Sequence, residues 1–385
     1  MRKVYMDHSA TTATRPEVVE AMLPFFAEQF GNPSSLHQFG QWTKAAIEEA
    51  RERAANLLGA KPEEIYFTAS GTESDNMVIK GVGFKNFDER GHIITSKIEH
   101  KAVLESVKFM EKIGFDATYL DVDKYGVVSP DTLREAIRDD TILVSIMMAN
   151  NEVGTLEPIK ELAQVAHERE VPFHTDAVQA FGKLPVNVEE LGVDFLASSG
   201  HKFYGPKGVG LCYIRKSVRN KFESLLHGGS HEDNKRASTE NVPGIIGYAK
   251  ALELAVEEQQ EEAERQWKLA NMLYDGLRDH LDGVYLNGHP TDRLPGFLNL
   301  SFDKVEGESM LLSLDMQGIA LSSGSACTSG SLEASHVLTA MGCDPVLAHG
   351  TLRFTLGREN TEEDVEYVLR VLPPIIEKLR SVSML

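Results

Sequence analysis

Val193-Asp-Phe-Leu-Ala-Ser-Ser-Gly-His-Lys202-Phe-Tyr-Gly-Pro-Lys-Gly-Val-Gly210-Leu-Cys-Tyr-Ile214 is the stretch that decides the fold. Its two apolar runs, 193–197 and 209–214, read as buried strands. Between them lies a turn rich in Gly, Ser and Pro, which places Lys202 and His201 just beyond a strand end. The same texture repeats upstream. Ile65-Tyr-Phe-Thr68 reads as a short strand, and Gly71-Thr72 leads into a helical stretch. The runs 92–96, 142–147 and 171–175 read as further strands, with helices starting at Lys101 and Ile159. A helix over 43–58 stops at Gly59. Apolar strands alternating with amphipathic helices imply an α/β fold with a mainly parallel sheet covered on both faces.

After Asn241 the texture changes. A long helical pattern crowded with Glu and Gln runs over 245–280, with room for one break, and reads as a connector. Strands over 297–302, 319–321 and 351–355, with helices over 309–316 and 362–379, then suggest a smaller α/β unit. The expected division is a large domain over 16–258, and a small one built from 1–15 and 259–385.

The 385 residues are 42% hydrophobic and 25% charged, which suits a globular protein able to bury a large core. A formal net charge of −19 argues against nucleic acid as a partner, because phosphate binding needs clustered Lys and Arg. The start of the chain lacks the apolar core of a signal peptide, and no apolar run approaches membrane-spanning length. Three cysteines, Cys212, Cys327 and Cys343, are odd in number and contain no C-x-x-C pair. A disulfide framework is not expected, and the cytoplasm is the natural setting.

Several residues carry chemical promise, each beside a plainer reading. Lys202 is a Schiff-base candidate if its site lowers its proton affinity; otherwise it is a surface lysine in a turn, as Lys207 looks to be. Asp176, in His174-Thr-Asp-Ala-Val-Gln179, closes a strand where open α/β sheets bind ligands. It can keep a ring nitrogen protonated, with Gln179 reaching a ring oxygen, or it can be an ordinary turn residue. Gly71 and Thr72 can hold a phosphate at a helix N-terminus, or simply cap that helix. His100 can stack on a flat ring and move protons, or serve structure; Asn151 can bond a ligand, or shape a turn. Arg353 lies on an apolar strand and needs an anion, either a substrate carboxylate or an internal carboxylate. Cys327 sits in Ser322-Ser-Gly-Ser-Ala-Cys-Thr-Ser-Gly-Ser331, whose small residues cannot pack a core, so its thiol reads as a travelling nucleophile. Cys212, between Leu211 and Tyr213, reads as core, and Cys343 is given no role.

Taken in order, these segments resemble the NifS/IscS-like cysteine desulfurases, within the class-V aminotransferase family of fold-type I pyridoxal-phosphate enzymes. The likeness runs from Tyr5-Met-Asp-His-Ser-Ala-Thr-Thr12 to Leu352-Arg-Phe-Thr-Leu-Gly-Arg358. It takes in Phe30-Gly-Asn-Pro-Ser-Ser-Leu-His37, Asn150-Asn-Glu-Val-Gly154 and Ser325-Ala-Cys-Thr328. The resemblance implies a seven-stranded sheet in the large domain and pyridoxal 5'-phosphate bound to Lys202. It implies Asp176 on the pyridinium nitrogen, Gln179 on the ring oxygen, His100 stacked on the ring, and Thr72, Ser199 and His201 on the phosphate. Thr239 would reach the phosphate of the other subunit of a homodimer. Asn151 and Arg353 would orient L-cysteine, and Cys327 would take its sulfur, leaving alanine. A sulfur-acceptor protein, such as an iron–sulfur scaffold, would then receive it. An aminotransferase or β-lyase on the same fold would use Lys202, Asp176 and Arg353 but leave the Cys327 segment without purpose.

Overall fold

A computed structural model describes residues 2–323 and 334–382. Seven strands form one sheet in the order Ile65–Thr68, Gly210–Ile214, Phe195–Ser199, Phe173–Asp176, Thr141–Ser145, His92–Ser96, Asp116–Leu120. The last five of these run parallel, whereas Gly210–Ile214 is antiparallel to both of its neighbours. In register, His174 faces Phe195 and Asp176 faces Ala197, so the carboxyl ends of these strands lie side by side. The turn at 200–209 is short because its two flanking strands pair directly, Ser199 against Gly210. That pairing fixes Lys202 at the sheet's edge of exit.

The physical reasons for the elements are local. Phe195–Ser199 and Gly210–Ile214 are buried throughout, as a strand covered by helices on both faces must be. The first of these begins two residues later than its apolar run suggests. Asp194 is spent on a structural bond, its Oδ2 accepting from the Phe173 amide at 2.9 Å. Asp116–Leu120 was not legible as a strand: it is an edge strand, exposed at Asp116 and only partly buried along most of its length. The helix Gln38–Leu58 starts earlier than its Ala-rich pattern, because His37 Nδ1 accepts from the Gly40 amide. It stops at Gly59, which holds φ 67°, a conformation that glycine adopts without a Cβ penalty.

A second, three-stranded antiparallel sheet joins Thr351–Thr355, Phe297–Phe302 and Val284–Asn287. Beside it Val4–Tyr5 pairs in parallel with Ile319–Ala320. This part has its own apolar core, including Met6, Leu273, Phe302, Phe354, Val368 and Leu372. The long helical pattern is two helices, Val242–Glu257 and Gln259–His280, divided at Glu258. The first contributes Ile245 and Leu252 to the core of the large sheet, and the second contributes Leu269 and Leu273 to the core of the small one. Glu258, at the break, is held by Arg15 at 2.7 Å.

Candidate functional site

A cavity of about 250 Å³ opens at the carboxyl ends of the parallel strands. This is where the chain order reverses. After His92–Ser96 the sheet grows first to Asp116–Leu120 on one side and then to Thr141–Ser145 on the other. Ligands of open α/β sheets bind at such reversals, because adjacent strand-end loops part there. Nine residues singled out in the sequence line it together: Gly71, Thr72, His100, Asn151, Asp176, Gln179, Ser199, His201 and Lys202.

Lys202 ends a single helical turn, Gly200–Lys202, that follows its strand directly. Its Nζ donates to the carbonyls of Ser9 at 2.5 Å and Ala10 at 2.9 Å. Gln179 Nε2 donates to the same Ser9 carbonyl at 2.9 Å, leaving Gln179 Oε1 buried without a partner. The N-terminal segment thus folds over the lysine, and Thr11 Oγ1 adds a contact of 3.1 Å to His201 Nδ1. This role of Ser9 could not be read from sequence, because a backbone carbonyl leaves no signature in residue type.

Asp176 is buried, and one carboxylate oxygen accepts from the Val178 amide at 2.9 Å. Burial raises its proton affinity, and neighbouring His100 and Lys202 oppose that rise. One atom each of Asp75, His100 and Asp176 lie within 4.8 Å of one another. Asp75 was not singled out, yet it stands one helical turn beyond Gly71, and that spacing puts both on one face. It is fully enclosed, and burial followed by the charge of Asp176 pushes its carboxyl well above the usual range. His100 caps the helix Lys101–Lys112 by accepting from the Ala102 amide at Nδ1, 3.2 Å away. Its ring proton therefore sits on Nε2 in the neutral form. Burial, chiefly, lowers its pKa.

Ser70 begins the helix Gly71–Lys85, with Oγ accepting from the Glu73 amide at 3.1 Å. Ser70, Gly71 and Thr72 at the start of this helix line the cavity together with Ser199 and His201, and the first amides of a helix have no partner within it. Gly71 is demanded by packing, since a Cβ there would come within 2.5 Å of Val178 Cγ2.

Two expected residues lie apart from this cavity. Arg353 is 3% exposed, and its Nη2 meets Asp7 Oδ1 at 2.9 Å, the internal ion pair that was the plainer reading. Its Nη1 donates to the Asn151 carbonyl at 3.0 Å, which ties it to the cavity wall, and its Nε is buried without a partner. Thr239 lines a different cleft, of about 930 Å³, with Asn32, Pro33, Lys44 and Arg51. Cys327 lies outside the described residues. Cys212 is wholly buried in its strand, where burial raises its pKa, so it packs the core as its sequence suggests. Lys207 is exposed and away from the cavity.

The pattern of the family described as aminotransferase class-V matches residues 4–368. The chain belongs to that family. A protein of Dictyoglomus turgidum named cysteine desulfurase IscS is 58% identical over 99% of this chain and 96% of its own length. A solved structure titled NifS-like protein superposes with a TM-score of 0.92 at 41% identity, covering 98% of this chain and 100% of the other. Another, titled SspA in complex with cysteine, has a TM-score of 0.83 at 38% identity, covering 93% and 100%. The fold is that of the fold-type I pyridoxal-phosphate enzymes, with the seven-stranded sheet as its centre.

Proposed function

We infer that this chain is a pyridoxal-phosphate-dependent cysteine desulfurase, which removes sulfur from L-cysteine to give L-alanine and a persulfide on Cys327. The observation that carries the reading is the convergence in one cavity of a lysine, a buried carboxylate and a helix N-terminus, on a chain 58% identical to a cysteine desulfurase.

The residues fit the cofactor. Asp176 is a buried carboxylate that lines the cavity beside His100 and Lys202, and a pyridinium nitrogen would compensate the burial of its charge. Gln179 Oε1 is buried and unpartnered, ready for a ring hydroxyl. Thr72, Ser199, His201 and the first helix amides would hold the phosphate, His100 would stack on the ring, and Lys202 would hold the aldehyde carbon. When bound, the cofactor accepts the electron pair left at the substrate Cα. The protein supplies the rest. Lys202 moves the Cα proton. His100, with its proton on Nε2, passes protons beside it. Asn151 and Arg353 would orient the substrate, which requires Arg353 to share the guanidinium that now pairs with Asp7. The Cys327 thiolate forms an S–S bond as the substrate Cβ–S bond breaks, and the released pair at Cβ takes up a proton to complete alanine.

The reading extends to assembly. Leu36 is 94% exposed, and Phe26, Phe30 and Trp42, close to it in the chain, are also exposed. Asn32, Pro33 and Ser34 of the same segment line the cleft that holds Thr239. This supports a homodimer in which Thr239 reaches the phosphate of the neighbouring site. The separate cores of the two sheets support a large domain over 16–258 with the remainder forming the small one. Among the described residues no helix is long and apolar enough to cross a membrane. The persulfide would pass, in the cytoplasm, to a sulfur-acceptor protein such as an iron–sulfur scaffold.

The test is to incubate the holoenzyme and its Cys327→Ser variant with L-cysteine. The wild type should form alanine and carry added sulfur on the Cys327 peptide alone, and Cys327→Ser should do neither while still binding cofactor. Release of pyruvate with no protein-bound sulfur would replace this reading with a β-lyase.

A further inference from the structure

The backbone is left-handed over Glu232, Asp233 and Asn234, whose φ values are 47°, 50° and 60°. Successive residues with side chains in that region form a strained turn, because each Cβ crowds a carbonyl oxygen. Asp and Asn tolerate the region better than most residues, but Glu does not. Glutamate at the head of this turn therefore owes its place to its side chain. Glu232 is 8% exposed, and its carboxylate accepts from Arg51 Nη1 and Nη2, both at 2.8 Å. Its Oε2 also accepts from the Phe67 amide at 3.0 Å. Arg51 is fixed in turn by the Ile65 carbonyl, 2.6 Å from Nη1, and by the Phe67 ring, whose centroid lies 5.1 Å from the guanidinium carbon. A strained turn persists only where its surroundings over-determine it, and a buried bidentate pair can do so.

Glu232 lines the cleft that also holds Thr239. Between them, Arg236 donates to both carboxylate oxygens of Glu73, at 2.6 and 3.2 Å. Glu73 belongs to the first turn of the helix Gly71–Lys85. Just after Thr239, Asn241 caps the helix Val242–Glu257, with Oδ1 accepting from the Gly244 amide at 3.2 Å and Nδ2 donating to the Gly208 carbonyl at 3.1 Å. The stretch is thus pinned at its head to the strand Ile65–Thr68, in its middle to the helix into which that strand leads, and at its end to a helix cap. Thr239 is left exposed between the last two anchors. We propose that Glu232 is a positioning residue for the neighbouring subunit's cofactor, its grip on Arg51 and the Phe67 amide forcing the left-handed turn that presents Thr239 to that cofactor's phosphate. The proposal rests on the reading of a homodimer in which Thr239 acts across the interface.

Hydrogen exchange of the cofactor-free protein is the first test. Glu232→Gln keeps the size and an acceptor for the Phe67 amide but gives up half of the grip on Arg51. In this variant the amides of 231–240 should exchange about tenfold faster than in wild type, with the strands of the large sheet unchanged. Exchange that quickens in the sheet as well, or nowhere, overturns the proposal. Pyridoxal phosphate titrated onto the same protein should bind about tenfold more weakly than to wild type. Glu232→Gly relieves the backbone while removing the side chain, and should bind at least as weakly; wild-type affinity in Glu232→Gly would show that the side chain is not needed. Mixed dimers then locate the effect. A Lys202→Ala subunit, with its turn intact, is paired with a Glu232→Gln subunit, with its Lys202 intact, and the pair is isolated on two affinity tags. The site that keeps Lys202 should bind cofactor with wild-type affinity and show half of the wild-type absorbance of lysine-bound cofactor. Binding as weak as in the Glu232→Gln homodimer overturns the proposal. A parallel mixed dimer carries Thr239→Ala in place of Glu232→Gln. Recovery with Thr239→Ala alone overturns the role of Glu232 and leaves the homodimer reading standing, whereas failure of both removes Thr239 from the neighbouring site and the proposal with it.

Discussion

Glu152→Gln offers the clearest quantitative test of how the wall of the site is held. Glu152 is 5% exposed and next to Asn151. The Ser335 hydroxyl donates to its Oε2, and Ser335 also caps the helix His336–Ala340. Burial pushes its pKa from 4.5 up to about 7, although Ser335 and Arg353 both pull it down. An acid whose folded pKa is raised gives a stability that is complete below the unfolded value, falls as pH climbs towards the folded value, and then levels. The window here is about pH 4.5 to 7, and its depth follows from 1.36 kcal/mol per pH unit, about 3 kcal/mol. Glutamine keeps an oxygen for Ser335, and its amide can turn towards His336 Nδ1, 4.0 Å from the present carboxylate. That ring nitrogen is free to accept when Nε2 donates to the Glu99 carbonyl, 3.0 Å away. Glu152→Gln should therefore be more stable than wild type by under about 1 kcal/mol at pH 5 and by about 3 kcal/mol at pH 8. Urea unfolding at matched protein concentration and cofactor load reads the difference directly. An advantage that is the same at both pH values would mean that Glu152 ionises normally, and the reasoning from burial would be wrong.

Asp176→Asn should cut turnover by orders of magnitude while the fold survives, and near-normal turnover would reduce Asp176 to a structural residue. Because burial raises the Asp176 carboxyl, the cofactor-free variant should also gain stability over wild type as pH rises above the ordinary carboxylate range, seen in thermal melts at pH 4 and 7. Gly71→Ala forces a Cβ within 2.5 Å of Val178 Cγ2, so it should cost about 1–3 kcal/mol and weaken cofactor binding. Trimming Val178 to Ala in the same chain should recover part of the loss, and no recovery would place the strain elsewhere. Replacing exposed Leu36 and Phe30 by Ser should shift the sedimentation of the protein from dimer towards monomer and lower cofactor affinity with it. A wild type that is active as a monomer would remove Thr239 from the neighbouring site.

Much of the site was legible because each of its side chains follows a strand end within a few residues. A strand is recognisable from its apolar run, and its carboxyl end is where a parallel sheet offers side chains to a ligand. Lys202, Asp176, Gln179, His100 and Asn151 were found in this way, and Gly71 and Thr72 by the glycine at a helix start. The edge strand Asp116–Leu120 escaped for the converse reason, being too exposed to carry an apolar signature. Asp75 escaped because a helical aspartate looks like a solvated one until the sheet is folded against it.

Sequence by itself determined the alternation of strands and helices, the chemistry available at each strand end and the family, since all of these depend on residues near one another in the chain. The tertiary structure alone decided what those groups do to one another. Ser9 meets Lys202 across 193 positions, and Arg353 meets Asp7 across 346. Such contacts set proton affinities through burial and distance, and neither quantity exists until the chain has closed around the site.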